Sequence, residues 1–434
     1  MTGAMYASIA GLKTHMQKLS VIGNNVANVN TAGYKTHRTV FRDTVYSMYS
    51  SGSNGSDVVG GMNPSQIGYG SVIGSIDLDM STSSYNPGNP TDVALTGDGF
   101  FLVGDKEMAN NIDPQNPETF KTLNLTRVGD FFFGPDGYLV DGAGSVVYGF
   151  MNTNEGAIIG PDGKTSPDIS DQLVGIRLPL MEKAYYAVDE KGEITGDPVK
   201  KSEAIGADGK LKDGFKIEYT IRYPVTKPAD DNNQGGGGTG GTDTVTNDIP
   251  LKNYEAPTGA DDTDQTTSTV DLSWAQLESI EIDKATGAIT GTTKEGGIPV
   301  TVGYLAIGNV TNPNGVSHKG NSYYQAGAGA GDLMISMLGG VNQELGIFNV
   351  NGSLYRTTGD NNNQGGDEGP VLPTNSEVTS AGDTKLMTGF LEAPNVDLAT
   401  EISELITTQR GYQANTRIIT VTDSMLEELV NMKR

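Results

Sequence analysis

Few side chains in this sequence are of the types that perform acid–base, nucleophilic or metal chemistry. The 434 residues include no cysteine and three histidines, His15, His37 and His318. The lack of cysteine excludes disulfides, thiolate metal sites and cysteine nucleophiles. Two of the histidines lie in or just after an N-terminal helical pattern, so the sequence shows neither a metal cluster nor a catalytic triad. It therefore predicts no enzymatic activity and no cofactor.

Acidic residues are numerous, but their order indicates no site. The 53 Asp and Glu residues outnumber the 29 Lys and Arg residues, which gives a formal net charge of −24. Such a chain repels phosphate backbones and anionic lipids, so nucleic acid is not an expected partner. The stretch 283–295 lacks the alternating ligands of an EF-hand loop. The charge is typical of a protein that stays soluble at high local concentration.

One glycine-rich turn, at residues 97–99, resembles a phosphate-binding loop only superficially. Neither a helical pattern nor a lysine follows it, so a turn that enters a strand is the better interpretation. The aromatic residues, including the single tryptophan Trp274, do not alternate with basic residues as a surface for stacking bases would require. No small-molecule substrate is expected.

Helical patterns are concentrated at the two ends of the chain. Near the start, apolar residues recur at alternating spacings of four and three, which is typical of a coiled-coil seam. This helix should fray in the polar run 28–31 and end at Gly33, where a left-handed backbone is tolerated. The seam consists of Met5, Ile9, Leu12, Met16 and Leu19.

The C-terminal pattern has the same rhythm over about 32 residues, which predicts a helix about 50 Å long. Pro394 lies just outside it, and Asn395 or Asp397 can cap its first free N–H groups. Two narrow seams at opposite ends suggest that the helices pair with each other or with other copies of the chain. The alternative is that each packs singly on a globular domain. The second seam consists of Leu398, Ile402, Leu405, Tyr412, Ile419, Leu426 and Val430.

Between the helices the chain has the patterns of an antiparallel β protein. Apolar residues alternate with polar ones in 76–80 and in 217–223, and the run 131–140 predicts a hairpin around a Gly-Pro-Asp-Gly turn. Frequent glycine-rich turns favour sandwich-like or barrel-like domains over βαβ units. The fold class expected is therefore mainly β with terminal α-helices, in which nested β domains lie between two paired helices.

An asparagine-rich segment ends the first helix. Asn side chains compete for backbone hydrogen bonds, so the segment is either an ordinary polar helix end or a set of amides that bond across subunit contacts and fix their register.

This segment also carries a family resemblance. Ser20–Lys35, SVIGNNVANVNTAGYK, resembles the N-terminal signature of the flagellar rod and hook proteins. Further matches lie in Leu391–Leu398, LEAPNVDL, and Thr408–Asn415, TQRGYQAN, and Leu95–Val103 resembles a strand near the core of those proteins. The resemblance assigns a family motif to Gly23, Asn24, Asn25, Asn28, Asn30, Thr31, Gly33, Tyr34, Asn395, Val396, Asp397, Leu398, Gln409, Arg410, Tyr412 and Gln413.

The resemblance implies a self-assembling structural subunit of the bacterial flagellar hook, the tubular universal joint that transmits torque from motor to filament. The terminal helices would form an inner coiled-coil layer, with the β domains facing outward. The partners implied are further copies of the chain, the rod, hook-cap and hook–filament junction proteins, and the flagellar type III export apparatus.

Two other functions remain open. Rod and hook subunits share these termini, and a large middle region favours the hook over a distal rod or another axial component. A surface adhesin is the second alternative, favoured by the glycine-rich acidic β region and by Tyr323 and Tyr324. No cleavable signal sequence or long apolar run is present, which by ordinary rules favours the cytoplasm, whereas a glycine-rich, acidic chain without cysteine is typical of extracellular surface proteins. The conflict suggests export without a cleaved signal, and the resemblance implies an extracellular flagellar structure as the destination.

The order of the patterns predicts four parts. Residues 1–35 with 393–434 form the helical core, and 36–70 form a linker or extended arm. An inner β domain comprises 71–150 with 300–392, and 151–299 form an inserted outer β domain. Low-complexity stretches at 47–61, 227–246 and 359–369 mark boundaries or exposed loops, the second being a surface loop of the outer domain.

Overall fold

The computed structural model of the chain describes fifteen stretches of residues and is mainly β with a long helix at each end, as predicted. The predicted loop 227–246 and the low-complexity stretch 359–369 lie outside them. The described residues are 2–55, 60–106, 122–152, 158–159, 165–166, 173–189, 191–206, 210–223, 270–284, 286–331, 333–337, 341–342, 347–350, 353–356 and 384–432.

The chain forms two compact units. The first combines both ends, Met1–Ser84 with Ala393–Arg434, and the second is Tyr85–Glu392. The backbone therefore passes from one unit to the other twice, once on each side of the second unit. The ends of the chain share one unit, in agreement with the expectation that the terminal helices meet.

Three α-helices lie among the described residues: α1 (Thr2–Ala27), the single-turn α2 (Lys201–Ala204) and α3 (Leu398–Met432). Helix α1 unwinds through turns to Gly33, whose φ of 67° is left-handed, as predicted for the stop. Asp397 caps α3, because its Oδ1 accepts the Ala399 N–H at 3.1 Å. None of these helices is both long and apolar enough to span a membrane.

The first unit also contains four strands, β1 (His37–Asp43), β2 (Tyr46–Ser50), β3 (Ser65–Gly68) and β4 (Ser71–Leu78). β1 pairs with β4 and β2 pairs with β3, both antiparallel. Residues 36–70, expected to form a linker or extended arm, thus include three strands.

The second unit is built around one large antiparallel sheet, twelve-stranded among the described residues. Its longest path runs β18-β19-β20-β11-β7-β8-β22-β21. The strands of this unit are β5 (Tyr85–Pro87), β6 (Val93–Thr96), β7 (Phe100–Gly104), β8 (Asn124–Thr126), β9 (Phe132–Phe133), β10 (Leu139–Val140), β11 (Val146–Met151), β12 (Ile158–Ile159), β13 (Thr165–Ser166), β14 (Val174–Gly175), β15 (Leu180–Ala187), β16 (Phe215–Arg222), β17 (Val270–Trp274), β18 (Leu277–Ile282), β19 (Ala288–Thr293), β20 (Pro299–Val310), β21 (Val316–Gly320), β22 (Tyr323–Ala326), β23 (Leu333–Met337), β24 (Val341–Asn342), β25 (Ile347–Val350), β26 (Ser353–Arg356), β27 (Lys385–Thr388) and β28 (Phe390–Glu392).

The core of this unit is apolar and rich in aromatic side chains. Strand β7 is buried throughout, and Phe101 meets Phe131 edge to face with ring centroids 5.0 Å apart. The predicted hairpin is confirmed, since β9 and β10 pair as antiparallel neighbours. Strands β18 and β19 pair onward to β20, so one sheet spans the expected boundary at 299/300. A separate outer domain at 151–299 stays a prediction.

Candidate assembly interface of the paired terminal helices

Helices α1 and α3 pack against each other in antiparallel orientation. Two glycines allow their backbones to approach closely. A Cβ placed on Gly11 would lie 2.8 Å from Asn415 Nδ2, and one placed on Gly411 would lie 2.7 Å from His15 Cε1. Contacts this short leave no room for a larger residue unless its neighbour moves. The terminal helices therefore pair within one chain, as the seams suggested.

The face between the two helices is small and polar instead of apolar. Ile22 is its buried apolar residue on α1, and the hydroxyls bond to carbonyls of their own helix, as Thr422 does to Ile418 O at 2.6 Å. Satisfied hydroxyls can be buried at small cost, but they drive association weakly. The buried polar side chains of the two helices are Ser8, Thr14, Asn25, Thr408 and Thr422, of which Thr14 also contacts Ser71 Oγ of β4 at 3.3 Å.

Charged groups line the edge of the same face. Lys18 Nζ lies 2.9 Å from Glu404 Oε2 and 5.8 Å from the centroid of the Phe41 ring. Burial and the nearby Lys18 lower the pKa of His15, which keeps its imidazole neutral near pH 7. Burial, with a smaller effect from Glu404, raises the pKa of the Glu401 carboxyl. Both ion-pair partners are partly exposed, so this edge fixes orientation more than it stabilises.

The predicted seams lie mostly away from this pairing face. Leu405, Tyr412, Ile419 and Leu426 are half-buried on α3, as are Met5, Leu12 and Leu19 on α1. The other seam residues, between 43% and 67% exposed, are Ile9, Met16, Leu398, Ile402 and Val430. An apolar seam is therefore present, but pairing within the chain does not cover it.

A further apolar row lies on the second half of α3. Its members recur at spacings of three and four, each is 42% to 77% exposed, and none belongs to the predicted seam. The sequence shows this spacing, but the predicted seam follows a strict heptad through Leu426 and Val430 and so leaves these residues out. This row, here called the outer stripe, consists of Ile418, Val421, Met425, Leu429 and Met432.

The asparagine-rich motif forms a hydrogen-bonded cluster centred on Asn25, which is 1% exposed. Its Oδ1 accepts from Tyr34 Oη at 3.0 Å and from His37 N at 3.1 Å. Its Nδ2 donates to His37 O and to Glu401 Oε1, both at 3.0 Å. All four hydrogen-bonding positions of the amide are thus occupied. One side chain joins the end of α1, the following turn, β1 and α3.

Two neighbouring motif residues support this cluster. Asn24 Nδ2 donates to Tyr34 Oη at 3.1 Å, and Asn28 Nδ2 donates to Asn24 O at 2.9 Å. Burial, together with the charge of Glu401, raises the pKa of Tyr34 to about 12, so its phenol stays protonated and can donate. Asn25 has no hydrogen-bonding position left for a bond across subunits, while for Asn24 and Asn28 such bonds stay a prediction.

Asn395 lies in the segment that leads into α3 and bonds this segment to the chain that follows α1. Its Oδ1 accepts from Thr36 N at 2.7 Å, and its Nδ2 donates to Asp79 O at 2.8 Å. The buried Lys35 ammonium donates to Ser81 O at 2.8 Å beside it. The chain that enters α3 is therefore bonded to the chain that leaves α1.

The remaining motif residues divide by position. Thr31 Oγ1 donates to Asn28 Oδ1 at 3.2 Å, and Val396 is half-buried beside the Asp397 cap. Those that lie on exposed surface outside the cluster are Gly23, Asn30, Leu398, Gln409, Arg410 and Gln413. Among the described residues, no group of three or more His, Asp or Glu side chains could hold a metal ion.

The termini that form this interface match known proteins. A family model described as flagella basal body rod protein matches residues 5–35, and one described as flagellar basal body rod FlgEFG protein C-terminal matches residues 387–432. Both ends of the chain are therefore similar to the flagellar rod and hook proteins. The two matched segments contain nearly all of α1, most of the Asn25 cluster and all of α3.

Members of this family align with the chain over its full length. The flagellar basal-body rod protein FlgG of Bacillus subtilis is 27% identical over 435 residues, and the flagellar hook protein FlgE of Borreliella burgdorferi is 24% identical over 502 residues. Each alignment covers 100% of both chains, so length alone does not separate rod from hook subunits. The crystal structure of Helicobacter pylori flagellar hook protein FlgE2 covers 62% of this chain and 98% of its own, at 12% identity and a TM-score of 0.27, which is too low to support an argument.

Alanine substitutions at two helical glycines, Gly411 and Gly23, should change stability in opposite directions. Gly411→Ala should weaken the pairing of α1 with α3, because its Cβ would meet the His15 ring. Gly23 has nothing within 4 Å of the same position, so Gly23→Ala should stabilise α1 by about 0.5–1 kcal/mol through helix propensity. Thermal unfolding of the purified chain followed by circular dichroism measures both. Shifts of the same sign would contradict the close approach at Gly411.

Proposed function

We propose that this chain is a structural subunit of the flagellar hook that polymerises through the apolar side chains its paired helices leave exposed. The observation that supports this most is the amount of apolar surface that pairing within the chain leaves uncovered. Five seam residues and the whole outer stripe stay at least 42% exposed although α1 and α3 already pack against each other. Exposed apolar rows of this length are typical of association surfaces.

Burial of the outer stripe between subunits would favour polymerisation. Its five side chains are about half exposed, and complete burial of an aliphatic side chain contributes roughly 1.5–3 kcal/mol. Covering the stripe therefore contributes on the order of 5 kcal/mol per subunit. A helical polymer repeats that contact in every subunit, which accounts for a stable tube without disulfides.

A second candidate is a subunit of the flagellar rod. The full-length alignment with the Bacillus subtilis rod protein favours it, whereas the full-length alignment with the Borreliella burgdorferi hook protein favours the hook. Imaging a deletion strain separates them. Basal bodies with complete rods and no hooks are expected, and truncated rods would support the rod subunit instead.

The direct test is electron cryomicroscopy of the polymer formed by the purified chain. We expect tubes whose innermost layer consists of α1 and α3, with the seam and outer stripe buried between copies. A chain that stays monomeric under all polymerising conditions, or a tube whose α3 stripes face solvent, would contradict the proposal.

The same proposal sets the partners and the location. The subunit would contact other copies of itself and the rod, hook-cap and hook–filament junction proteins, and it would reach the outside through the flagellar type III apparatus. Its role would be mechanical, without catalysis and without a cofactor. Transmission of torque would then depend on how firmly each subunit holds its own chain together.

A further inference from the structure

The second unit is attached to the chain by two short strands that lie side by side. The backbone enters it through β5 and leaves through β28, and the two pair antiparallel with Tyr85 opposite Glu392. Both crossing points are therefore at the same end of one ladder. Tension applied at these points pulls the strands apart from that end, one residue pair after another, instead of shearing all their hydrogen bonds together.

A buried ion pair lies at that end of the ladder. The side chains of Arg127 and Glu392 are both 0% exposed, and Arg127 Nη1 lies 3.5 Å from Glu392 Oε2. Glu392 is the last residue of the unit, while Arg127 directly follows β8 of the large sheet. The pair thus connects the exit of the chain to the central sheet.

Backbone carbonyls hold the Arg127 guanidinium in place. Its Nη1 donates to Leu95 O at 3.2 Å and its Nη2 donates to Gly97 O at 2.5 Å, so it also contacts the end of β6. The Phe100 ring lies 5.8 Å from its central carbon. These contacts fix the position of the positive charge before Glu392 meets it.

A buried ion pair is a poor source of folding stability. Its desolvation offsets most of the attraction, and well-packed apolar residues of similar volume often stabilise a fold as well or better. Its distinctive property is that separating the two charges inside the protein leaves each of them unpaired, which is strongly unfavourable. It therefore resists displacement more than it adds to equilibrium stability.

We propose that the Arg127–Glu392 pair is an anchor that prevents β5 and β28 from being peeled off the second unit under tension. The tension is that of the proposed hook function, on which this inference rests, but the anchor itself can be tested on the purified full-length chain. Glu392 belongs to the residue pair Tyr85–Glu392, which is the first pair that peeling within this unit would open.

Hydrogen exchange followed by mass spectrometry tests the anchor. Glu392→Gln keeps the size of the side chain and removes its charge, so exchange of the β5 and β28 amides should rise at least tenfold while β20 stays protected. The control is Glu295→Gln, which breaks the partly exposed Lys183–Glu295 pair of the same unit and should change neither region. Unchanged protection of β5 and β28 in Glu392→Gln would overturn the anchor.

If Glu392→Gln exposes amides to exchange throughout the second unit, the unit has unfolded, and the double variant Arg127→Met, Glu392→Met is measured instead. This variant removes both charges and retains apolar volume, so the unit should refold. Fast exchange confined to β5 and β28 would then support the anchor, and restored protection there would overturn it.

Hooks provide the mechanical readout. The double variant should assemble hooks in normal number that break more often than normal ones when cells swim in viscous medium, and intact hooks under that load would overturn the anchor's role. Absence of this protein from isolated hooks would instead contradict the proposed function and leave the exchange result standing.

Discussion

Val421→Asp is expected to abolish hooks while leaving the subunit exported and its β unit folded. Val421 is 51% exposed in the outer stripe, where burial between copies would leave an unpaired carboxylate in an apolar contact. Burying an unpaired charge costs several kcal/mol, which is comparable with the whole contribution of the stripe. The measurement is electron microscopy of cells together with the amount of subunit in the medium.

The matched control is Thr420→Asp, one residue away on the same helix. Thr420 is exposed and polar, and its hydroxyl bonds to Arg417 O at 2.9 Å on its own helix. Hooks should survive this change, because the added charge stays in water. Loss of hooks in both variants to the same degree would show that the added charge, and not the stripe, is responsible.

Asn25→Leu is expected to have the second-largest effect. Leucine has a similar volume but removes four hydrogen bonds at once, so the Tyr34 hydroxyl, Glu401 Oε1 and the backbone N–H and C=O of His37 all lose their Asn25 partner. Each buried polar group left without a partner costs roughly 1–3 kcal/mol, so a loss of at least about 3 kcal/mol per subunit is expected. The temperature at which isolated hooks depolymerise should fall sharply, or hooks should be absent.

Asn30→Leu makes the same substitution at an exposed position of the motif. It should change the depolymerisation temperature little in comparison. If Asn30→Leu and Asn25→Leu lower that temperature equally, the Asn25 cluster is not what holds the helix ends together.

The helices were predictable because their signals are local. The spacing of Met5, Ile9 and Leu12 indicates a helix, and Gly33 indicates its end, whatever the rest of the chain does. The face that joins α1 to α3 was not predictable from the same pattern. A seam model places large apolar residues between helices, whereas Gly11 and Gly411 bring these two backbones so close that small polar residues fill the space.

The Asn25 cluster and the large sheet depend on pairings across long stretches of chain. The motif included Asn25 but not its partner Glu401, because residue spacing carries no information about which atoms meet. Likewise, alternation in 217–223 predicts the strand β16 without indicating that it pairs with β15. Strands β7 and β20 pair although nearly two hundred residues separate them, so their register is set by the completed core.

The contact between Asn25 and Glu401 joins residues 376 positions apart, from the first and the last helix of the unit. A chain cut anywhere between them, and separated from its second piece, keeps an intact Asn25 with nothing on α3 to receive its amide. Such a fragment lacks half of every contact that closes the helical unit, including the Lys18–Glu404 pair and the glycine approaches. Under the proposed assembly, only a subunit that carries both ends would present the complete paired helices to the next copy.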